Sequence, residues 1–220
     1  MGAGRLLEGG TFPSKKGLGM RLDVTGSRVR ISRLFGLVIL LMVLFTSHSF
    51  AHDSVADISF EVLGLILLTV AMAGRLWALL YMAGRKKAEL VREGPYSIMR
   101  HPLYTFSFVG VVGIGLASEN VLVLAALVAF VLLYYPFVVR REEAKLVEKF
   151  GDSYLEYKAQ VPAFIPRLSL YHATEYYDVK VPCLLRNFRD AIWFVLIFCL
   201  LHSIEWFQQA GLLPVLWKFP

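Results

Sequence analysis

The chain has 220 residues, of which 57% are hydrophobic, a net charge of +6 and a mean hydropathy of +0.58. Soluble domains have nearer half of their residues apolar, so the excess indicates a membrane protein. The basic residues lie between apolar runs. This position indicates that they orient the spans and lie beside anionic lipid, and it argues against a surface that binds nucleic acid. The two cysteines, Cys183 and Cys199, match neither a disulfide framework nor a metal-binding spacing.

The arrangement of apolar runs predicts an all-α fold, a polytopic membrane bundle of about five transmembrane helices. Residues 1–32 are polar and basic and are expected to form an arm, while residues 33–220 form a single membrane domain. The first run could instead be a signal peptide, because Ser49-Phe50-Ala51 resembles a cleavage site. The five predicted spans are residues 34–51, 58–83, 103–117, 121–139 and 191–208.

The distribution of Lys and Arg predicts the orientation of these spans. Basic residues crowd the N-terminal arm and the segments 85–100 and 140–189, whereas the loops 52–57 and 118–120 carry none. By the positive-inside rule, the N-terminus and both basic segments are expected on the cytoplasmic side.

The first informative motif is Gly94-Pro95-Tyr96, followed by Arg100-His101-Pro102-Leu103-Tyr104. Gly-Pro indicates a turn, and the residue before a proline is displaced from the helical region. The His101-Pro102 step is therefore expected where non-helical backbone gives way to the third span. A helix start offers free N–H groups and a positive dipole end, so an anionic ligand group can bind there.

The second informative motif lies after the fourth span. Carboxylates in it can hold ribose hydroxyls or an amine, and aromatic rings can pack against adenine or a sulfonium. If one helix continues through Gly151, helical spacing places Glu143, Leu146, Phe150, Tyr154 and Tyr157 on one face. The motif reads Arg140-Arg141-Glu142-Glu143, then Leu146, Phe150-Gly151, Tyr154, Tyr157 and Val161-Pro162.

Together, over roughly residues 75–166, these motifs resemble the isoprenylcysteine carboxyl methyltransferase family, whose core is similar to that of phospholipid methyltransferases. The resemblance implies a pocket for S-adenosyl-L-methionine on the cytoplasmic side. It also implies a membrane lipid or lipidated substrate that enters from the bilayer. The compact chain is similar to prokaryotic members, so an inner-membrane location is expected, with no nucleic-acid partner.

The resemblance also implies roles for particular residues. Arg75, inside an apolar run, is expected to orient an anionic group, with snorkelling to the surface as the alternative. Arg141 is expected to neutralise a substrate carboxylate or phosphate, or else to be an ordinary interfacial arginine, and Glu142 completes the predicted catalytic set. The cofactor-binding residues implied are Tyr96, Arg100, His101, Pro102, Leu103, Tyr104, Glu143, Tyr154 and Tyr157.

One position departs from the family pattern, which has glycine where this chain has Phe106. This phenyl group could narrow the pocket, reshape the substrate tunnel or face lipid. Three other functions are weighed: methylation of a phospholipid amine, an NADPH-dependent reductase and a non-catalytic scaffold. Sterol reductases usually carry asparagine and tryptophan at the positions of Leu103 and Tyr154, which favours methyl transfer. The sequence leaves the methyl acceptor and the oligomeric state open.

Overall fold

The computed structural model describes residues 24–46, 54–83, 89–175, 179 and 181–217. These residues form helices, which confirms the all-α prediction, and within them a single isolated bridge, Thr46 with Trp217, has strand-like pairing. The elements are α1 (Val24–Phe45), α2 (Val55–Met82), α3 (Pro95–Ile98), α4 (Pro102–Ala117), α5 (Val121–Phe150), α6 (Asp152–Gln160), a 3-10 turn (Leu168–Leu170) and α7 (Val181–Gln209).

The chain divides into two compact units, Met1–Leu37 and Val38–Pro220, and the boundary falls inside α1. Helix α1 begins within the predicted arm and ends at Phe45, earlier than the predicted end of the first span. Residues 1–23 and 47–53 lie outside the described residues, so most of the arm and the alternative cleavage site stay predictions. Helices α2 to α7 all belong to the second unit.

Three described helices are long and apolar enough to cross a membrane: Val55–Met82, Val121–Phe150 and Ala191–Gln209. They coincide with the second, fourth and fifth predicted runs, and the chain is an integral membrane protein. The apolar helices Arg33–Phe45 and Pro102–Ala117 are shorter, so the count of five spans stays a prediction. At 1.5 Å per residue, the apolar residues 121–139 of α5 suffice for the hydrocarbon core, and the charged residues 140–150 extend beyond it.

Helices α2 and α4 pack closely because small residues line their contact. A Cβ on Gly64 would lie 2.7 Å from the backbone nitrogen of Ala117. Near the other end of α4, the ring of Phe106 fills the space that a side chain at Gly74 would need. The departure from the family pattern at Phe106 is therefore accommodated by a glycine on the neighbouring helix.

Helices α4 and α5 form a tight helical hairpin whose turn is residues 118–120. The Asn120 side chain caps α5, because its Oδ1 accepts hydrogen bonds from the backbone nitrogens of Leu122 and Val123 at 3.0 and 3.2 Å. Its Nδ2 donates to the hydroxyl of Thr46 at 2.9 Å, which ties the hairpin to the end of α1.

Replacing Gly64 with leucine should separate α2 from α4, because the backbone of Ala117 cannot yield as a flexible side chain can. We expect Gly64→Leu to destabilise the protein by about 1–3 kcal/mol, the usual cost of overpacking. Ala73→Leu is the matched control, since Ala73 is exposed on the same helix. Thermal unfolding in detergent measures both; equal midpoints for the two variants would contradict the close contact.

Candidate functional site

A cleft opens at the end of the bundle where α4 begins. The cleft has a volume of about 100 Å³, and about 690 Å³ when the open space at its mouth is included. Ligand pockets usually enclose about 300–1,000 Å³, so a cofactor-sized ligand would also occupy the mouth. The lining comes from the end of α2, the segment before α4, the charged extension of α5, and α6: Met82, Glu89, Leu90, Val91, Tyr96, Arg100, His101, Pro102, Leu103, Tyr104, Glu142, Leu146, Phe150, Tyr154 and Tyr157.

The start of α4 is held by backbone hydrogen bonds from the chain that follows α6. Pro102 is the first residue of α4, and His101 before it is non-helical, as the His-Pro motif predicts. The backbone nitrogens of Arg100 and His101 donate to the carbonyls of Pro162 and Ala163 at 2.8 and 3.0 Å. One wall of the cleft is therefore a turn that two backbone hydrogen bonds hold against the chain after α6.

The helix is interrupted at Gly151, so the condition on which the single helical face depended is not met. Gly151 has φ 53°, a left-handed conformation that suits glycine, and it separates α5 from α6. The break turns α6 so that Tyr154 and Tyr157 still reach the cleft that Phe150 lines from α5. Both tyrosines are buried, and the Tyr157 hydroxyl donates to the carbonyl of Tyr96 at 2.6 Å.

Glu143 joins three elements through its carboxylate. Its Oε1 accepts from Arg100 Nη2 at 3.0 Å and lies 3.1 Å from His101 Nε2, and its Oε2 accepts from Lys158 Nζ at 2.7 Å. Arg100 also donates to the carbonyls of Lys158 and Val161 at 2.8 and 2.7 Å. The extension of α5, the turn before α4 and the end of α6 are thus held together by one anion.

These contacts change the protonation of the groups involved. Burial alone would raise the pKa of Glu143, but hydrogen bonds from Lys158 and His101 and the charge of Arg100 outweigh it and hold that pKa at about 2. Burial lowers the pKa of His101, so near neutral pH its uncharged ring donates from Nε2 to Glu143. Burial also raises the pKa of the Tyr154 hydroxyl, which stays protonated.

Glu142 differs from its neighbour because it lines the cleft. Successive helical residues point about 100° apart, so two adjacent carboxylates face different surroundings. Glu142 Oε2 is buried, and within the described residues it has no hydrogen-bond partner. A buried carboxylate oxygen in that state calls for a donor from a ligand or solvent, and the hydroxyl or ammonium groups of S-adenosylmethionine would fit it.

The structure brings most of the predicted site residues together. Three lie elsewhere. Glu143 is behind the cleft wall, Arg141 is exposed on α5, and Arg75 donates to the Ser107 hydroxyl and the Leu103 carbonyl on α4. The nine that line the cleft are Tyr96, Arg100, His101, Pro102, Leu103, Tyr104, Glu142, Tyr154 and Tyr157.

Other residues of the site were missed by the sequence motifs. Leu90 and Val91 line the cleft, and their apolar character within a basic loop was the available signal. Lys158 contacts Glu143 only because the chain turns at Gly151, and nothing in the spacing indicates this. The sequence leaves the role of the segment 168–189 open, with His172, Tyr176, Tyr177 and Asp178 as candidate contacts to a substrate head group. Of these four, residues 176–178 lie outside the described residues.

A second cavity of about 270 Å³ lies beside the cleft and has an almost wholly apolar surface. Tyr104 lines both cavities, with its ring 5.9 Å from that of His101 and 5.3 Å from that of Tyr135. This apolar groove lies between α4, α5 and the segment after α6, and is lined by Tyr104, Thr105, Phe108, Val131, Leu132, Tyr135, Pro136 and Phe164.

Removing the Glu143 charge should weaken the link between the three elements. We expect Glu143→Gln to lower stability by about 2–3 kcal/mol, between the costs of exposed and fully buried pairs. Because its folded pKa is about 2 and its ordinary value 4.5, this stabilisation is complete above pH 4.5 and is lost as the pH falls towards 2. Chemical denaturation between pH 2 and 7 measures both effects, with exposed Glu148→Gln as control. A Glu143→Gln profile parallel to that of the wild type would contradict the assignment.

Comparison with known proteins identifies the family. The sequence model of the phospholipid methyltransferase family matches residues 69–153. The chain is 38% identical over 197 residues to the nickel-cobalt-cadmium resistance protein NccN of Alcaligenes xylosoxydans xylosoxydans, covering 90% of this chain and 92% of the relative. It is 37% identical to the cobalt-zinc-cadmium resistance protein CzcN of Cupriavidus metallidurans, covering 90% and 91%.

A third relative carries an enzymatic name. The chain is 32% identical over 158 residues to protein-S-isoprenylcysteine O-methyltransferase B of Arabidopsis thaliana, covering 65% of this chain and 79% of the relative. No solved structure matches the chain. The order of its motifs, the cleft that they line and these relatives agree, and the chain belongs to the isoprenylcysteine carboxyl methyltransferase family of membrane methyltransferases.

Proposed function

We propose that the protein transfers a methyl group from S-adenosylmethionine to an oxygen or sulfur nucleophile, a carboxylate above all, on a lipid-like or prenylated acceptor. The observation that carries the proposal is the meeting of two cavities at Tyr104. The cleft offers polar and aromatic groups, and the groove offers apolar surface. A reaction between a polar cofactor and an amphiphilic acceptor needs both surfaces side by side.

In this proposal the cofactor occupies the cleft. Glu142 accepts a hydrogen bond from a hydroxyl or ammonium group, and Tyr96, Tyr104, Tyr154 and Tyr157 contribute aromatic walls. Arg100, His101, Pro102 and Leu103 supply the turn that forms the wall, which Glu143 holds in place from behind. When bound, S-adenosylmethionine supplies a methyl group already activated by its positive sulfur. The chain then has mainly to position the acceptor and exclude water.

The acceptor tail is proposed to lie in the apolar groove. Leu132, which lines the groove, is 60% exposed on the spanning helix α5, so the groove is accessible from the lipid side. The basic residues between the spans favour the cytoplasmic face for this site. A prokaryotic inner membrane is proposed because the compact chain is similar to prokaryotic members of the family. Arg141, exposed where α5 leaves its apolar stretch, is proposed as the counter-charge for an acceptor carboxylate.

Arg75 is proposed to act on the site through α4. Its Nη1 atom donates to the Ser107 hydroxyl and lies 3.5 Å from the Leu103 carbonyl, and its guanidinium carbon lies 5.9 Å from the centre of the Phe194 ring. An arginine at this depth needs such partners. These contacts connect α2 and α7 with the first turns of α4, which is a positioning role.

Methylation of a phospholipid amine is the second candidate, because the matching family model is that of the phospholipid methyltransferases. The two candidates give chemically distinct products. A methyl ester releases volatile methanol on mild alkaline hydrolysis, whereas an N-methyl group stays bonded to the amine of the head group and is not released as methanol.

The direct test uses the full chain in native-lipid nanodiscs with methyl-labelled S-adenosylmethionine. We expect label in the organic-extractable fraction and its release by mild base. Label that base does not release as methanol, and that is recovered on the head-group amine, would favour the phospholipid amine. If the protein fails to bind S-adenosylmethionine, the proposal is wrong and NADPH binding becomes the next measurement.

Glu142→Gln should weaken cofactor binding, because a charge-assisted hydrogen bond is lost. We expect the Kd for S-adenosylmethionine to rise about 10- to 100-fold by calorimetry. Glu148→Gln, on the same helix extension but outside the cleft lining, should leave the Kd unchanged. Equal affinities for the two variants would remove Glu142 from the proposed cofactor site.

A larger side chain in the apolar groove should weaken binding of the acceptor and leave binding of the cofactor unchanged. Leu132→Trp places an indole in the groove, and we expect the rate at low acceptor concentration to fall about tenfold while the Kd for S-adenosylmethionine is unchanged. The control is Leu133→Trp, because Leu133 is 71% exposed on the same helix but outside the groove lining. Transfer assays with membrane lipid extract measure both, and similar rates would place the acceptor elsewhere.

A further inference from the structure

The chain after α6 carries a dense group of exposed apolar side chains. Phe164, Ile165, Leu168 and Tyr171 are 39%, 81%, 73% and 53% exposed. By contrast, Leu155 is the only large hydrophobic residue exposed to this degree between residues 140 and 163, all of which are described. Leaving such side chains in water forgoes the free energy of apolar burial, so this group, here called the apolar edge, requires a covering partner.

The protein itself covers only part of the apolar edge. The ring centre of Phe164 lies 5.7 Å from that of His101, and the ring centre of Tyr171 lies 6.2 Å from that of Trp77. Ile165 and Leu168 are the most exposed members. Leu170, in the same 3-10 turn as Leu168, packs against the buried cluster of Tyr154, Tyr157 and Val161. The turn therefore has one side chain directed into the core and another directed out. Leu168 is exposed because Leu170 already occupies the position in this turn that faces the core.

Hydrogen bonds fix the depth of this segment relative to the membrane helices. The backbone nitrogen of His101 donates to the Ala163 carbonyl at 3.0 Å, and that of Arg167 donates to the Ile98 carbonyl at 3.0 Å. His101 immediately precedes the apolar helix α4. The apolar edge is thereby held at the level where α4 begins, which is the expected level of the membrane surface.

The apolar edge is also continuous with surface that faces lipid. Phe164 lines the apolar groove together with Leu132 and Pro136 of the spanning helix α5. Arg167, exposed between Ile165 and Leu168, adds a cation, and Tyr171 adds an amphipathic ring. Apolar side chains flanked by a cation and an aromatic ring are typical of segments that lie in the membrane interface.

We propose that the apolar edge inserts into the interface of the membrane leaflet on the cleft side, with Arg167 among the phosphates of anionic lipids. The segment from Phe164 to Tyr171 then forms the surface over which the groove opens to that leaflet. The occupant is the bilayer itself, and this inference does not depend on the reaction.

The test places a single cysteine in the full chain with Cys183→Ser and Cys199→Ser, reconstituted in nanodiscs. Ile165→Cys and Leu168→Cys are labelled with an environment-sensitive fluorophore, and Glu156→Cys on exposed α6 is the matched control. Folding of each variant is verified by its thermal transition before labelling is interpreted.

At residues 165 and 168 we expect several-fold stronger quenching by lipids with a nitroxide near the head group than at residue 156, and several-fold weaker quenching by aqueous iodide. Probes at 165 and 168 that respond like the probe at 156 would overturn the proposal. Protection from both quenchers would overturn it too, because it would mean that protein covers the edge.

The role of Arg167 is measured with the same probe at residue 165. We expect stronger lipid quenching in nanodiscs with phosphatidylglycerol than in those with phosphatidylcholine alone, and loss of that difference in Arg167→Gln. A difference that persists in Arg167→Gln would exclude Arg167 from the phosphate layer.

Discussion

The geometry of the cleft depends on the carboxylate of Glu143. This anion accepts hydrogen bonds from Arg100 and Lys158 and lies within hydrogen-bonding distance of His101, so it connects three parts of the chain that are far apart in sequence. Placing a charge in a mostly buried position is costly unless partners surround it. Here the partners come from the turn before α4 and from α6, and satisfying the charge therefore fixes the positions of both elements relative to α5.

The adjacent carboxylates of Glu142 and Glu143 have different surroundings. One carboxylate is turned to the cations and has a pKa held at about 2, while its neighbour reaches the cleft with a buried oxygen that has no partner within the described residues. Glu143 thus holds the cleft wall in place, and Glu142 faces the cleft. The division follows from helical rotation, because neighbouring side chains on α5 point in different directions.

The apolar runs were sufficient to predict the helical bundle, and nine residues that the family resemblance implied line the cleft. Hydrophobic periodicity and the His101-Pro102 step act locally, so they survive in the folded chain. What the sequence did not predict depends on contacts between distant segments. Gly151 takes a left-handed conformation that interrupts the expected helix, Lys158 reaches Glu143 only through that interruption, and the ring of Phe106 is accommodated by Gly74 on another helix.

The geometry of the cleft also depends on the chain after α6, which contains little regular structure. The nitrogens of Arg100 and His101 are satisfied by the carbonyls of Pro162 and Ala163, and a buried N–H without an acceptor would be costly. Any displacement of that segment would break these bonds at the first turn of α4. Because Phe164 follows directly and lines the groove that Tyr104 shares with the cleft, the lipid-side surface and the polar wall are parts of one continuous backbone arrangement.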